Sequence, residues 1–261
     1  MTLVTKPFGD IITFSRASGG GRFNSSGVYE WVGNDVPRLT YDPVTLQPLG
    51  LLVEEQRTNL LTRSSAFDNA SWVRVNSSVA VTPNAVVAPD GTMTADKLIE
   101  PAILTSPTII QNTAVTIVNA SYSISAHAKP DGRNFVRLQL ESTIGTVYAG
   151  ARFNLATGAV VGTDIVVTNG GSNPVATITP AANGFFRVSL TATLPAGALL
   201  RGAYRLMEDA TGFSYTGDGA SGIYIWGAQL EAGAFPTSYI PTVASQVTRA
   251  ADIITINTGA V

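Results

Sequence analysis

The chain has 261 residues, of which 13% are charged and 45% apolar, and its formal net charge is −2. So weak a charge excludes the basic footprint of a nucleic-acid binder, and no apolar run reaches membrane-spanning length. With no cysteine, disulfides, thiol catalysis and thiolate metal sites are excluded as well. Charged residues fall well below the usual quarter. Gly, Ala, Ser, Thr and Val fill the gap, which is the composition of short strands joined by tight turns. The N-terminus, Met1-Thr-Leu-Val-Thr-Lys-Pro7, lacks the apolar core of a signal peptide. The absence of cysteine fits a cytosolic protein, or one made in a cytosol that works outside it.

Residues 1–60 have their own texture. Thr13-Phe-Ser-Arg-Ala-Ser18 runs into three glycines, and Gly27-Val-Tyr-Glu-Trp-Val32 is a short β-like piece. Turn chemistry at Gly33-Asn-Asp35 and Tyr41-Asp-Pro-Val44 separates such pieces. This part reads as an extended β-arm or hairpin layer that docks on something larger. Gly50 to Leu61 has helical propensity, but its flanks favour a strand with a charged bend.

Beyond residue 60 the strands become regular. Short ones are predicted at 72–75, 78–82, 95–99 and 108–111. Ser121 to Lys129 alternates, with Tyr122, Ile124, Ala126 and Ala128 on one side and Ser123, Ser125, His127 and Lys129 on the other. Pro130-Asp-Gly132 turns the chain. Phe135 to Glu141 alternates again, with Val136, Leu138 and Leu140 inward. A period of two with one polar face predicts antiparallel sheet packed on one side and wet on the other. Further strands are predicted at 147–153, 158–161, 175–178, 185–194 and 200–207, with turns such as Asn169-Gly-Gly171 between them. Many short strands punctuated by turns predict an all-β antiparallel sandwich.

Ile223-Tyr-Ile-Trp226 is a further strand. Gly227 inside it predicts a bulge or a close backbone approach. Pro236 and Pro241 set an exit path that returns the chain to a last strand, Val247 to Ile256. Ser15-Arg-Ala-Ser18 echoes Thr248-Arg-Ala-Ala251, either by chance or because the two ends of the chain lie side by side.

Catalytic constellations are sparse. The one histidine, His127, has no nucleophile motif near it and reads as a surface or glycan-contacting residue. Glu141, Glu208 and Glu231 cannot be paired into the two flanking carboxylates that glycosidases need. Glu54 and Glu55 point to opposite faces of a strand. Asp218 or Asp90 could give one oxygen to a structural Ca²⁺, but no supporting ligand spacing is present. No cofactor is expected. Glycan binding needs flat rings and planar polar groups. The outward set His127, Phe135, Arg137 and Gln139, with Arg187 and Arg205 beside it, offers both and is the expected carbohydrate-binding surface. Trp72 and Trp226 read as core rings.

Several stretches resemble a module of tailed-bacteriophage virion proteins. They are Ile12 to Ser18; Pro37 to Val44 leading into Gly50 to Leu61; Ala88 to Leu98 after Phe67 to Trp72; and Ser221 to Thr242 followed by Val247 to Asp252. The resemblance spans nearly the whole chain in one order. It implies a jelly-roll sandwich similar to concanavalin A-like lectins and carbohydrate-binding modules, found in head spikes, tail fibres and decoration proteins. No catalytic residues belong to the pattern, so no enzyme is expected. The expected organisation is a docking arm over 1–60 and a jelly roll over 61–261. The expected role is a virion surface structural protein that binds host polysaccharide during attachment. Its partners would be other virion proteins and copies of itself, a trimer among the forms considered, with no nucleic acid and no membrane insertion. A ligand-free capsid or tail decoration protein is the alternative, and a polysaccharide-degrading enzyme ranks last.

Overall fold

The computed structural model describes residues 8–75, 79–144, 148–161, 166–168 and 172–257. The strand start expected at Ser78, the one at Val147 and the turn at Asn169-Gly-Gly171 lie outside the described residues.

A single helical turn, α1 (Phe8–Ile11), precedes β1 (Ile12–Ser15), β2 (Gly20–Phe23), β3 (Tyr29–Val32), β4 (Leu39–Tyr41), β5 (Pro48–Leu51) and β6 (Arg57–Asn59). Then come β7 (Val73–Arg74), β8 (Ala80–Val86), β9 (Ala95–Ile99), β10 (Leu104–Thr105), β11 (Thr108–Thr116), β12 (Ala120–Asp131) and β13 (Phe135–Ser142). They are followed by β14 (Tyr148–Asn154), β15 (Ala159–Val160), β16 (Val166–Thr168), β17 (Ser172–Pro180), β18 (Phe186–Leu194), β19 (Leu199–Met207), β20 (Tyr215–Thr216) and β21 (Gly222–Ala232). The chain closes with β22 (Val247–Arg249) and β23 (Ile253–Ile256).

The fold is an antiparallel β-sandwich. One sheet runs β17-β18-β12-β21-β9-β8; the other runs β15-β14-β13-β19-β11-β7, with β16 also on β14. The alternation predicted in β12 and β13 holds. Ile124, Ala126 and Ala128 pack against the opposing sheet's Val136, Leu138 and Leu140 in one buried core. Trp72 is in that core, stacked on Phe67 with ring centroids 4.6 Å apart.

Gly227 is the expected bulge. Trp226 pairs with His127 and Gln229 with Ser125, so Gly227 and Ala228 together oppose Ala126. Its φ of +66° is the left-handed conformation that glycine adopts without strain. The extra residue flips the strand's parity: Ile223 and Ile225 face the core before it, Ala228 and Leu230 after it. Trp226 is therefore buried on the outer side of its sheet, against Tyr29 and Tyr239.

The first 60 residues and the last strands are laced together. β1 pairs with β23 and β6 with β22, both antiparallel. The echo between Ser15-Arg-Ala-Ser18 and Thr248-Arg-Ala-Ala251 thus marks two segments that meet. The single last strand expected over 247–256 is corrected to two strands, because the chain bends at Ala250 to Asp252 and turns the Asp252 carboxylate inward. That carboxylate meets Arg16 and Arg38, whose side chains, like its own, are fully buried. Glu54 lies between β5 and β6, where it pairs with Arg38 at 2.6 Å and stands 3.5 Å from Arg249.

The expected wet faces are corrected as well. Ser123, Ser125 and His127 on β12 are all buried, and so are Arg137, Gln139 and Glu141 on β13. The first face is roofed by the N-terminal hairpins and the exit path after β21. Gln229 holds that path by accepting the Ile240 amide at 2.6 Å, and Glu231 by accepting the Thr237 amide at 2.9 Å.

Candidate functional site

The six expected glycan-contacting residues do not form one surface. β12 and β13 follow each other in sequence but sit in opposite sheets, because the chain crosses the sandwich at Gly132 to Asn134 instead of forming a hairpin. His127 and Arg187 are cross-strand neighbours on β12 and β18. Phe135, Arg137, Gln139 and Arg205 lie on β13 and β19, on the far outer face.

On that far face, Arg137 stands directly opposite both Arg205 and Arg152. Like charges in direct cross-strand register repel, and here an aromatic ring sits among them. The guanidinium carbons of Arg152, Arg137 and Arg205 lie 4.4, 4.9 and 5.4 Å from the centroid of Phe213. Attraction between a cation and a ring face contributes roughly 0.5–1 kcal/mol per pair at such sites. Further support is polar. Arg137 donates to Gln139, Arg152 to the Ala210 carbonyl, and Arg205 to the Thr108 hydroxyl at 2.9 Å. Phe213 remains 40% exposed. Beside it runs a groove of about 560 Å³ whose lining includes Thr105, Ser106, Thr108, Ser214, Arg201 and Arg205. Hydroxyls and guanidinium groups next to an open ring can bind a sugar face and its hydroxyls together.

Phe213 was not legible as a site residue. It sits in a loop held by Asp209, which accepts the Thr211 and Gly212 amides at 2.6 and 2.9 Å. The available signal is a lone aromatic in an otherwise polar turn segment, Glu208 to Ser214.

On the near face a smaller cleft, about 240 Å³, opens between the β2–β3 and β4–β5 hairpins and the six-stranded sheet. Phe23, Tyr29 and Tyr239 line it, with His127 and Arg187 at its base. His127 is 2% exposed. Burial, and secondly the Arg187 charge, hold its pKa well below the ordinary imidazole value, so the ring is neutral. Glu54 borders the same cleft. Burial alone would raise its pKa, but Arg249, the Ser238 hydrogen bonds and Arg38 outweigh that and lower it.

The aspartates considered for Ca²⁺ are occupied in turns. Asp218 accepts the Ala220 and Ser221 amides at 2.8 and 2.7 Å, and Asp90 accepts the Thr92 amide at 2.9 Å. Of the carboxylates weighed for hydrolysis, Glu141 is bound to Arg201 on the seven-stranded sheet and Glu231 to Thr237 on the other, so the sandwich separates them. Among the described residues no group of three or more His, Asp or Glu could hold a metal ion.

No family model matches the chain, and no curated protein matches it. Fourteen solved chains do. One is the enzymatically active domain of tailspike protein 4 of bacteriophage CBA120, with TM-score 0.38 and 17% identity. That match covers 66% of this chain but 21% of the tailspike chain, so the chain spans about a fifth of that protein's length. Another is a candidate sugar-binding protein of Bacteroides thetaiotaomicron VPI-5482, with TM-score 0.34 and 10% identity over 67% of this chain and 94% of that one. The expectation that the chain is not an enzyme is corrected by the first of these, since the matched tailspike domain is an enzymatically active one.

Proposed function

We propose that the chain is a surface protein of a tailed-bacteriophage particle that binds host-cell polysaccharide through the groove beside Phe213. The observation that carries this reading is the Phe213 ring, part-exposed and stacked with three guanidinium groups, at the edge of a hydroxyl-lined groove. Rings and planar donors in one place are what sugar recognition requires. Arg205 lines that groove, while Arg137, bonded to Gln139, acts behind it by holding the Phe213 ring.

Residues 1–60 are the docking segment in this reading. Support comes from the apolar side chains it leaves in solvent, among them Leu39, Val44, Leu46, Leu49 and Val53. A cluster of that kind on one layer marks a protein contact, with a neighbouring virion protein or another copy of the chain.

A glycan array of host surface polysaccharides tests the reading, run with the purified chain and with Phe213→Ala, and followed by sizing of any bound polysaccharide. Binding by the wild type that the variant loses supports it. No binding to any host polysaccharide favours a decoration protein held only by protein contacts, and shortened polysaccharide adds hydrolysis to the role.

A further inference from the structure

His127 is buried at the base of the near cleft, and among the described residues neither of its ring nitrogens has a hydrogen-bond partner. A buried imidazole with nothing bound to either nitrogen bears the uncompensated desolvation of both groups. Its neighbours cannot supply the bonds. The Trp226 and Tyr239 rings stand 5.3 and 6.5 Å away, Trp226 donates instead to Thr94 at 3.1 Å, and the Tyr239 hydroxyl pairs with Ser64 at 2.6 Å.

The charges around the cleft point the same way. Arg22 is paired with Glu30 at 2.7 Å, and Glu54 with Arg38 at 2.6 Å. Arg187 differs. It donates to the Ser125 hydroxyl at 3.2 Å and to the Thr237 carbonyl, both neutral, and among the described residues it forms no ion pair. The cleft thus joins an aromatic wall, a neutral imidazole whose buried donor and acceptor are unmet among the described residues, and an Arg187 with no ion pair among them.

We propose that this cleft binds a single sugar ring bearing a carboxylate. The ring lies against Tyr29 and Tyr239, one hydroxyl bonds His127, and the carboxylate pairs with Arg187. A hydroxyl both donates and accepts, which matches a neutral imidazole, and a carboxylate on a guanidinium makes a charge-assisted bond about twice as strong as a neutral one. At about 240 Å³ the cleft is smaller than pockets for drug-sized ligands, which begin near roughly 300 Å³, so one ring fits and a chain does not. The site lies on the opposite sheet from the Phe213 groove and does not depend on the reading given to that groove.

The chain's single histidine makes the test direct, because imidazole ¹⁵N signals in the full-length protein report His127 alone. The probes are glucuronate, galacturonate, mannuronate and N-acetylneuraminate, each against glucose, galactose and mannose at matched ionic strength. The expected result is a saturable shift of the His127 nitrogens with at least one acidic sugar. The neutral sugars should bind at least about tenfold more weakly, the effect of one charge-assisted bond. Arg187→Gln should erase that preference, while Phe213→Ala should leave it intact. No shift with any sugar means that the cleft holds water only and overturns the proposal, as does equal binding of acidic and neutral sugars. Should Arg187→Gln fail to fold, the wild-type comparison alone decides.

Discussion

Arg16 and Asp252 stand 236 positions apart and form an ion pair of 3.1 Å with both side chains fully buried. The pair belongs to a cluster with Arg38, Glu54 and Arg249 that ties the first strand to the last. Removing one partner of a buried pair strands the other charge, at a cost of about 3–5 kcal/mol. Asp252→Ala should therefore lower the unfolding free energy by an amount in that range. Denaturant titration checks this, and a loss under about 1 kcal/mol would be the size of a surface pair instead.

Gly227→Ala should destabilise through backbone geometry. The φ of +66° costs a non-glycine residue about 1–3 kcal/mol, and a Cβ there would lie 3.1 Å from His127 Nδ1. The expected outcome is a loss of about 1–3 kcal/mol, read by thermal or denaturant unfolding. A neutral result would show that the bulge relaxes.

The pH dependence of stability follows from His127. Its folded-state pKa is lowered, first by burial and then by Arg187, with Glu54, Tyr29 and Tyr239 the other titratable groups on the cleft. Between the ordinary value and the lowered one, the unfolded chain holds a proton that the folded chain does not. This contribution is therefore fully present above about pH 6.5 and is lost as the pH falls, at up to about 1.4 kcal/mol per unit. His127→Phe removes it. Subtracting the variant's stability curve from the wild type's should leave that acid-side slope, and parallel curves would contradict the assignment.

The exposed β4–β5 hairpin predicts self-association or docking. Leu39 and Leu49 are 44% and 66% exposed. A Leu39→Asp, Leu49→Asp double variant should keep the fold, since neither side chain is buried, and should lose association with copies of itself or with the particle. Sedimentation of both proteins decides, and unchanged association would place the contact elsewhere.

Much of the sandwich was legible in the sequence. Period-two alternation marked β12 and β13 and their core residues, and the bulge was announced by Gly227 within an apolar strand. The partner sheet of each strand was not legible, because alternation names a face and not a neighbour. That is why His127 and Arg137 were expected side by side and lie on opposite sides of the sandwich. The burial of both polar faces was equally hidden. What covers His127 comes from residues 20–52 and 236–239, and what covers Arg137 is a loop with no periodicity at all. The stretches behind the family resemblance gained a physical meaning instead. Arg16, Arg38, Glu54, Arg249 and Asp252 each come from one of them and meet in a single buried cluster.

Polysaccharide binding at the Phe213 groove is decided by titration calorimetry of the full chain with purified host surface polysaccharide, wild type against Phe213→Ala. Saturable binding by the wild type is expected, with a loss of about fivefold or more in the variant, equivalent to about 1 kcal/mol of ring contact. Equal affinity of the two proteins, or no heat from either, would contradict it.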